Sequence, residues 1–507
     1  MLYIKKLPVF VLMFAMLFAT SCKDAEKKNE EVETKTDYSA NELPVNTDSE
    51  EAMEAFNEGM EYFDNGNNRK ARAKFDEALQ HDPDFVSAQM YRTYTANSAK
   101  DWSTNREKFM AMRDKANESE KMMMDITEAG VKSDVDRELE VSKKMVEKYP
   151  KSARAMDNLA IFYDNNDQEE KAREHWKKAL ELNPEFVPAM ASLGSSYLFD
   201  SPRDKQQAKK YFDMLVKTAP NSPRSHILMG DYHRDQDQLD QALASYEKAA
   251  SLDPEDEIAL AKSGHANSIL GNYQEARKNF KDAREVSEFG TNLSAEANTF
   301  VYEGNSKQAL KFLEEGANSL DSLDIPESNR NIGKYQAAYT AAHIAMHDGD
   351  AKRLAQIVER MKPISQQLVS DANSPAVTAN QKALMNYWDT MVLVSNKKYK
   401  EAMDKAETIK QAVDSINSPD KLEPYHRALA VINYHMGNTD KALEHIKQTN
   451  EDYIHDEYWM AKIYEKAGEK EKAMELYEEI AEERFNSIEF ALIRDEVNKK
   501  VSESSQS

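Results

Sequence analysis

Two histidines, His343 and His347, lie four residues apart, a spacing that puts both rings on one face of a helix and suits a pair of zinc ligands. The residues between them are Ile344, Ala345 and Met346, so the glutamate that acts as base in a metalloprotease helix is missing, and no third ligand can be assigned. The competing reading makes them ordinary helix residues, one near a helix end beside Asp348. Asp235 and Asp237 are spaced as in a calcium loop, but the required glycine and the closing glutamate are absent. Met110, Met112, Met122, Met123 and Met124 fit a soft hydrophobic surface or a flexible core filler, and the second is preferred. Carboxylates are so common that no pair stands out as an acid and base for glycoside cleavage. There is no glycine-rich phosphate loop and no Gly-x-Ser-x-Gly elbow. The sequence therefore points to no catalytic residue, no cofactor and no metal.

The one cysteine, Cys22, excludes an intramolecular disulfide framework. Its surroundings suggest a different chemistry. Lys5 and Lys6 precede an apolar run from Leu7 to Thr20, which is shorter than the about 20 residues a bilayer crossing needs. The run ends in Ala19-Thr20-Ser21, directly before Cys22. This resembles the lipobox of bacterial lipoproteins, although Ala19 stands where an aliphatic residue is usual. The resemblance implies a signal peptide over 1–22 and a lipid on Cys22; the alternative is a plain signal peptide with a chance cysteine. Two or more acyl chains hold a protein stably to a bilayer. The chain carries 67 basic and 90 acidic residues, net −23, so electrostatics would not draw it to nucleic acid or anionic lipid.

Residues 23–50 hold nine acids, four lysines and almost no large apolar side chain, which predicts a disordered acidic tether spanning on the order of 30 Å. Its start, Cys-Lys-Asp-Ala-Glu, resembles the lysine-plus-acid sequences that direct lipoproteins to the cell surface in Bacteroidetes. A solvated linker without an address is the alternative.

Beyond the tether, helix formers dominate and glycines number only 14. A phrase recurs: GNNRKA at Gly66–Ala71, GNYQEA at Gly271–Ala276, GNSKQA at Gly304–Ala309, GNTDKA at Gly437–Ala442 and GEKEKA at Gly468–Ala473. Such recurrence signals a repeat array. The unit beginning near residue 52 shows Gly59, Tyr62, Ala71, Phe75, Ala78 and Pro83. Later units show Ala172, Trp176, Ala179 and Pro184; Gly194, Tyr197 and Ala208; Gly230, Ala242, Tyr246, Ala249 and Pro254; Gly264, Ala276, Phe280 and Ala283; and finally Ala473 and Tyr477. The set resembles the tetratricopeptide repeat (TPR), a helix–turn–helix unit of 34 residues with small residues where helices meet, aromatics between them and proline after the second helix. Pro150, Pro184, Pro220 and Pro254 keep nearly that period. Residues 84–152 leave room for about two units, either two degenerate repeats or one with an insertion.

The expected fold is thus an all-α, TPR-like solenoid of ten to twelve helix pairs. The expected division is an N-terminal array over 51–325, a degenerate C-terminal array over 326–501 closed by a capping helix, and a disordered tail over 502–507. The prolines at 326, 363 and 375 suggest long loops or a change of curvature over 318–334 and 364–382. Helix pairs of this kind bind other molecules across a long surface. The resemblance implies a ligand groove on the first helices, with Arg224, Asp231, Arg234 and His265 as candidates, along with Arg154 and Asp157. The implied function is a non-catalytic scaffold for protein or peptide partners, lipid-anchored at the outer membrane of the bacterial cell envelope, with no nucleic acid. The alternatives are a SusD-like glycan-binding lipoprotein and an enzyme with its site hidden in 290–420; four tryptophans and short turns speak against the first.

Overall fold

Every helix here is short enough that its ends matter, and the sequence supplies the ends. Ser49, Asn67, Ser152, Asp204 and Asp350 each accept a backbone N–H of the first turn they precede. Asn117 and Glu120 form a reciprocal capping box. The glycines of the recurring phrase, Gly66, Gly271, Gly304, Gly437 and Gly468, all have positive φ, which closes the turn between paired helices. In the units lacking glycine, Asp167, Asp237 and Lys397 take that same left-handed position, five residues before Ala172, Ala242 and Ala402.

The computed structural model describes residues 42–287, 292–450, 453–484 and 486–504. Among these it contains 25 α-helices, one short 3-10 turn and no strand. None of the described helices is long and apolar enough to cross a membrane. Cys22 and its flanks lie outside the described residues. The chain divides into two compact units, one ending at Lys262 and the other beginning at Ser263, with Val286 and Ser287 grouped with the first. The division expected at about residue 325 falls inside the second unit.

The first unit pairs α1 (Glu50–Asp64) with α2 (Asn68–His81), α3 (Val86–Tyr94) with α4 (Ala99–Ala111), and α5 (Glu118–Lys132) with α6 (Val135–Lys148). It continues with α7 (Ala153–Asn165) and α8 (Glu169–Leu182), α9 (Val187–Phe199) and α10 (Lys205–Thr218), and α11 (Pro223–Asp235) and α12 (Leu239–Leu252). Residues 84–152 therefore hold two helix pairs. Met123, Met124 and Met145 are buried there with Phe85 and Phe109, and Met110, Met112 and Met122 pack beside them, so the methionines are core.

The division falls within α13 (Glu257–Ile269). The second unit continues through α14 (Tyr273–Val286), α15 (Leu293–Tyr302), α16 (Ser306–Ser319), α17 (Glu327–His347), α18 (Ala351–Ala372), α19 (Pro375–Ser395), α20 (Tyr399–Ala412), α21 (Glu423–Met436), α22 (Thr439–Ile446), α23 (Ile454–Ala467), α24 (Lys470–Ala481) and α25 (Ile488–Ser504). The long loops expected over 318–334 and 364–382 are mostly helix. Pro375 occupies the first turn of α19, where its missing N–H costs nothing, and Pro363 lies inside α18. Helix α25 reaches Ser504, so the tail expected over 502–507 is helical in its first half.

Signature alanines carry the packing within each unit. Ala71, Ala78, Ala172, Ala179, Ala208, Ala242, Ala249, Ala276 and Ala283 are wholly buried, and Ala473 nearly so. Gly59, Gly194, Gly230 and Gly264 face the rings of Phe75, Phe212, Tyr246 and Phe280 so closely that a Cβ would overlap them. Tyr62 departs from the pattern. It is 37% exposed.

Candidate binding surface

Starts of the first helices form a row along the first unit, and that row is occupied by the chain itself. Residues 42–48 are extended, with Leu43 and Val45 packed on the core and Pro44 and Asn46 exposed, the alternation of a strand-like segment. Thr47 Oγ1 donates to Asp82 Oδ2 at 2.5 Å. Asn117 Nδ2 donates to the Pro44 carbonyl at 2.9 Å. Ser152 Oγ and the Arg154 N–H donate to Glu42 Oε2 at 2.7 and 3.1 Å, which places a carboxylate at the favourable end of α7. The partners advance in steps of 35 residues, one contact per repeat. The stretch expected to be a free tether as far as residue 50 is thus docked from residue 42. Its apolar content is two residues, too little to stand out against the nine acids around them.

The first unit also closes on its own first repeat. Asp64 accepts two hydrogen bonds from Arg154 Nη2, each 2.7 Å, and both side chains are buried. Arg224 lies against Gly66, and its Nη1 donates to the Asp64 carbonyl at 3.4 Å. Ser222 Oγ donates to the Asn65 carbonyl, Asn67 Nδ2 to Asp253 at 3.1 Å, and Arg69 pairs with Glu255 at 2.6 Å. Asp157 sits beside this cluster and accepts from Trp176 Nε1 at 3.0 Å. Burial pushes the Asp157 carboxyl up to about 6, against the opposing pull of Arg154.

The proposed groove residues must be corrected in this light. Asp231 is 1% exposed and accepts from Lys262 Nζ at 2.7 Å and Tyr246 Oη at 2.8 Å, with Arg234 Nη2 at 3.2 Å. Burial pushes the Asp231 carboxyl up, but Lys262 and Arg234 outweigh this and hold it well below the usual carboxylate range. Arg234 is 2% exposed. These two form a packed internal charge cluster, and Arg224 holds the first repeat. His265, in the second unit, stacks edge-on against Phe280 with ring centroids 5.1 Å apart. Arg224, Asp231 and Arg234 are not assembled into one open groove. For Arg224 the physical cause is that successive repeats rotate and bring the first repeat against it, whereas Asp231 and Arg234 are covered locally, by Tyr246 of their own repeat and Lys262 of the next helix.

In the second unit, α25 lies on α24 and also reaches α15 and α17. Asn486 Nδ2, just before α25, donates to Ser268 Oγ at 3.3 Å and to the Ala295 carbonyl at 3.4 Å. The helix expected to cap an end therefore also closes the unit. Glu489 accepts from Tyr453 Oη at 3.0 Å and stands 3.8 Å from His343 Nε2. His343 is buried among Tyr339, Trp388 and His455, and burial pushes its ring down to about 4. His347 is largely exposed, at the end of α17, with Asp348 3.6 Å away. The two rings share a helix but not an environment. Among the described residues no group of three or more His, Cys, Asp or Glu is placed to hold a metal ion. Asp235 is paired with Lys205 at 3.1 Å and Asp237 forms the turn.

The family profile described as tetratricopeptide repeat matches four stretches, residues 56–119, 152–183, 223–256 and 457–484. The chain carries tetratricopeptide repeats. The first of these matches extends into the stretch where the signature is degenerate. Among solved structures, MamA is 25% identical over 31% of this chain and 91% of its own, with a TM-score of 0.27. YrrB, described as a TPR protein with an unusual peptide-binding site, is 21% identical over 35% of this chain and 91% of its own, at 0.27. The APC/C hetero-tetramer Cut9-Hcn1 is 15% identical over 84% of this chain and 76% of that one, at 0.37. No curated protein matches the chain at a significant level.

Two features escaped the sequence reading. The docked segment 42–48 could have been sought in the alternation of Leu43, Val45 and Thr47. A histidine pair, His426 and His445, is visible only once the two helices of one TPR are paired.

Proposed function

We propose that this protein is a non-catalytic TPR scaffold that holds protein or peptide partners at the bacterial cell envelope, attached by lipid on Cys22. The observation that supports partner binding is the docked segment 42–48. The repeats already hold an extended peptide through one side-chain contact each, at Asp82, Asn117 and Ser152. That is the manner in which a repeat array takes an extended partner, by many small contacts spread over neighbouring units. The lipobox-like Ala19-Thr20-Ser21-Cys22 supports anchoring.

The test is capture of the full-length protein from gently solubilised, cross-linked envelopes, read by mass spectrometry beside a Cys22→Ser control. The reading expects radiolabelled palmitate on the wild type only, and a small set of specific proteins lost or changed in the control. A folded, abundant protein that retains no specific protein would overturn the scaffold. Palmitate absent from the wild type would overturn the anchor.

A further inference from the structure

His426 on α21 and His445 on α22 face each other across one helix pair, with their Nδ1 atoms 3.1 Å apart and ring centroids 5.4 Å apart. Two imidazole lone pairs cannot point at each other unencumbered. Either one ring carries its proton on that nitrogen, or a cation takes the place of the proton. Two nitrogens bound to one metal at about 2.0–2.1 Å stand roughly 2.9 Å apart at a right angle and roughly 3.4 Å apart at a tetrahedral one. The observed separation lies between these values. We propose that His426 and His445 form a two-imidazole site for a divalent transition metal, with water in the remaining positions.

The surroundings set the character of the site. Both rings are half-buried. Lys410 on α20 and Lys441 on α22 oppose a cation there, while Glu444 favours one. No third His, Cys, Asp or Glu completes the set among the described residues. A site of two nitrogens, more cationic than anionic around it, offers nothing to the hard ions that require oxygen ligands. It suits the metals that bond well to imidazole, namely copper, nickel and zinc. Open water positions make binding reversible.

The experiment is calorimetric titration of the purified full chain, stripped with chelator, with nickel chloride, zinc chloride and magnesium chloride, for wild type, His426→Gln and His445→Gln. The expected result is one nickel or zinc site per chain, absent from each variant, and no magnesium binding. Circular dichroism checks that the variants keep their helix content. Copper(II) paramagnetic resonance on the wild type supplies a readout independent of substitution, with hyperfine lines from two imidazole nitrogens. Absence of a nickel or zinc site in the wild type, binding that survives both substitutions, or a copper spectrum with a single nitrogen would overturn the proposal and leave the pair joined by a proton.

Discussion

Replacing Gly194 by alanine tests the packing rule on which both units are built. An alanine Cβ at this position would lie 2.3 Å from Phe212 Cε1, 2.5 Å from Cδ1 and 2.9 Å from Cζ. Carbon atoms rest about 3.5–4.0 Å apart, so the ring must move by about 1 Å. Phe212 is fully buried. Overpacking of this kind costs about 1–3 kcal/mol, and the upper half of that range applies because the obstruction is the ring itself. Against this, glycine to alanine inside a helix gains up to about 1 kcal/mol. The net expectation is a loss of about 1–2 kcal/mol, equivalent to roughly 2–8 °C for a unit of this size.

The control is Gly130→Ala in α5. Its Cβ would meet only Glu138 Oε2 at 4.0 Å, so the helix gain stands alone and the protein is stabilised by a few tenths to about 1 kcal/mol. The same residue change thus has opposite signs at two helical positions of one unit. Calorimetry gives both values, and hydrogen exchange of α9 and α10 shows that the loss is local. Phe212→Leu should recover part of the Gly194→Ala penalty, with a coupling of about 1–2 kcal/mol in a double-mutant cycle. If Gly194→Ala stabilises as Gly130→Ala does, the close approach of helix to ring is not what fixes glycine there, and the same argument fails for Gly59, Gly230 and Gly264.

Three further outcomes follow from the geometry. Lys397 is exposed and has φ +59°, a conformation that disfavours side chains, so Lys397→Gly should raise stability by about 0.5–1 kcal/mol in urea denaturation. Because burial lowers His343 to about 4 from 6.5, the unfolded chain takes up that proton first. The second unit therefore keeps the His343 contribution above about pH 6.5 and loses about 2 kcal/mol of it by pH 5, a slope that hydrogen exchange of α17 should show and His343→Gln should remove. Asp157 gives the opposite sign in the first unit. Its folded value of about 6 lies above the ordinary 3.8, so its contribution falls as pH rises through that window, and acidification from pH 7 to 5 should add about 1 kcal/mol in exchange of α7, an effect absent in Asp157→Asn.

What was legible in the sequence is what each repeat encodes for itself. The glycine of the recurring phrase announces a left-handed turn, and the turn is there at Gly66, Gly271, Gly304, Gly437 and Gly468. A small residue placed sixteen positions before an aromatic announces a close helix contact, and Gly230 meets Tyr246. Both signals lie within one unit, so composition and spacing can carry them. Asn67 meeting Asp253, or Arg154 meeting Asp64, depends instead on the sum of several small rotations between repeats, and no residue type marks that sum. Register therefore selects a helix face but is silent about what the superhelix lays against it. Arg224, read as a candidate for a ligand, lies against the first repeat for that reason, while Asp231 and Arg234 are buried by nearer neighbours, Tyr246 and Lys262. The long helices α17, α18 and α19 were missed for a related reason: proline reads as a break only if its position in the helix is unknown, and at the first turn of α19 it is a start. The segment 42–48 shows where an extended chain can still be held, along the starts of the first helices, and a competitor for that row would have to offer a carboxylate at Ser152 and a carbonyl at Asn117 to match what is already bound.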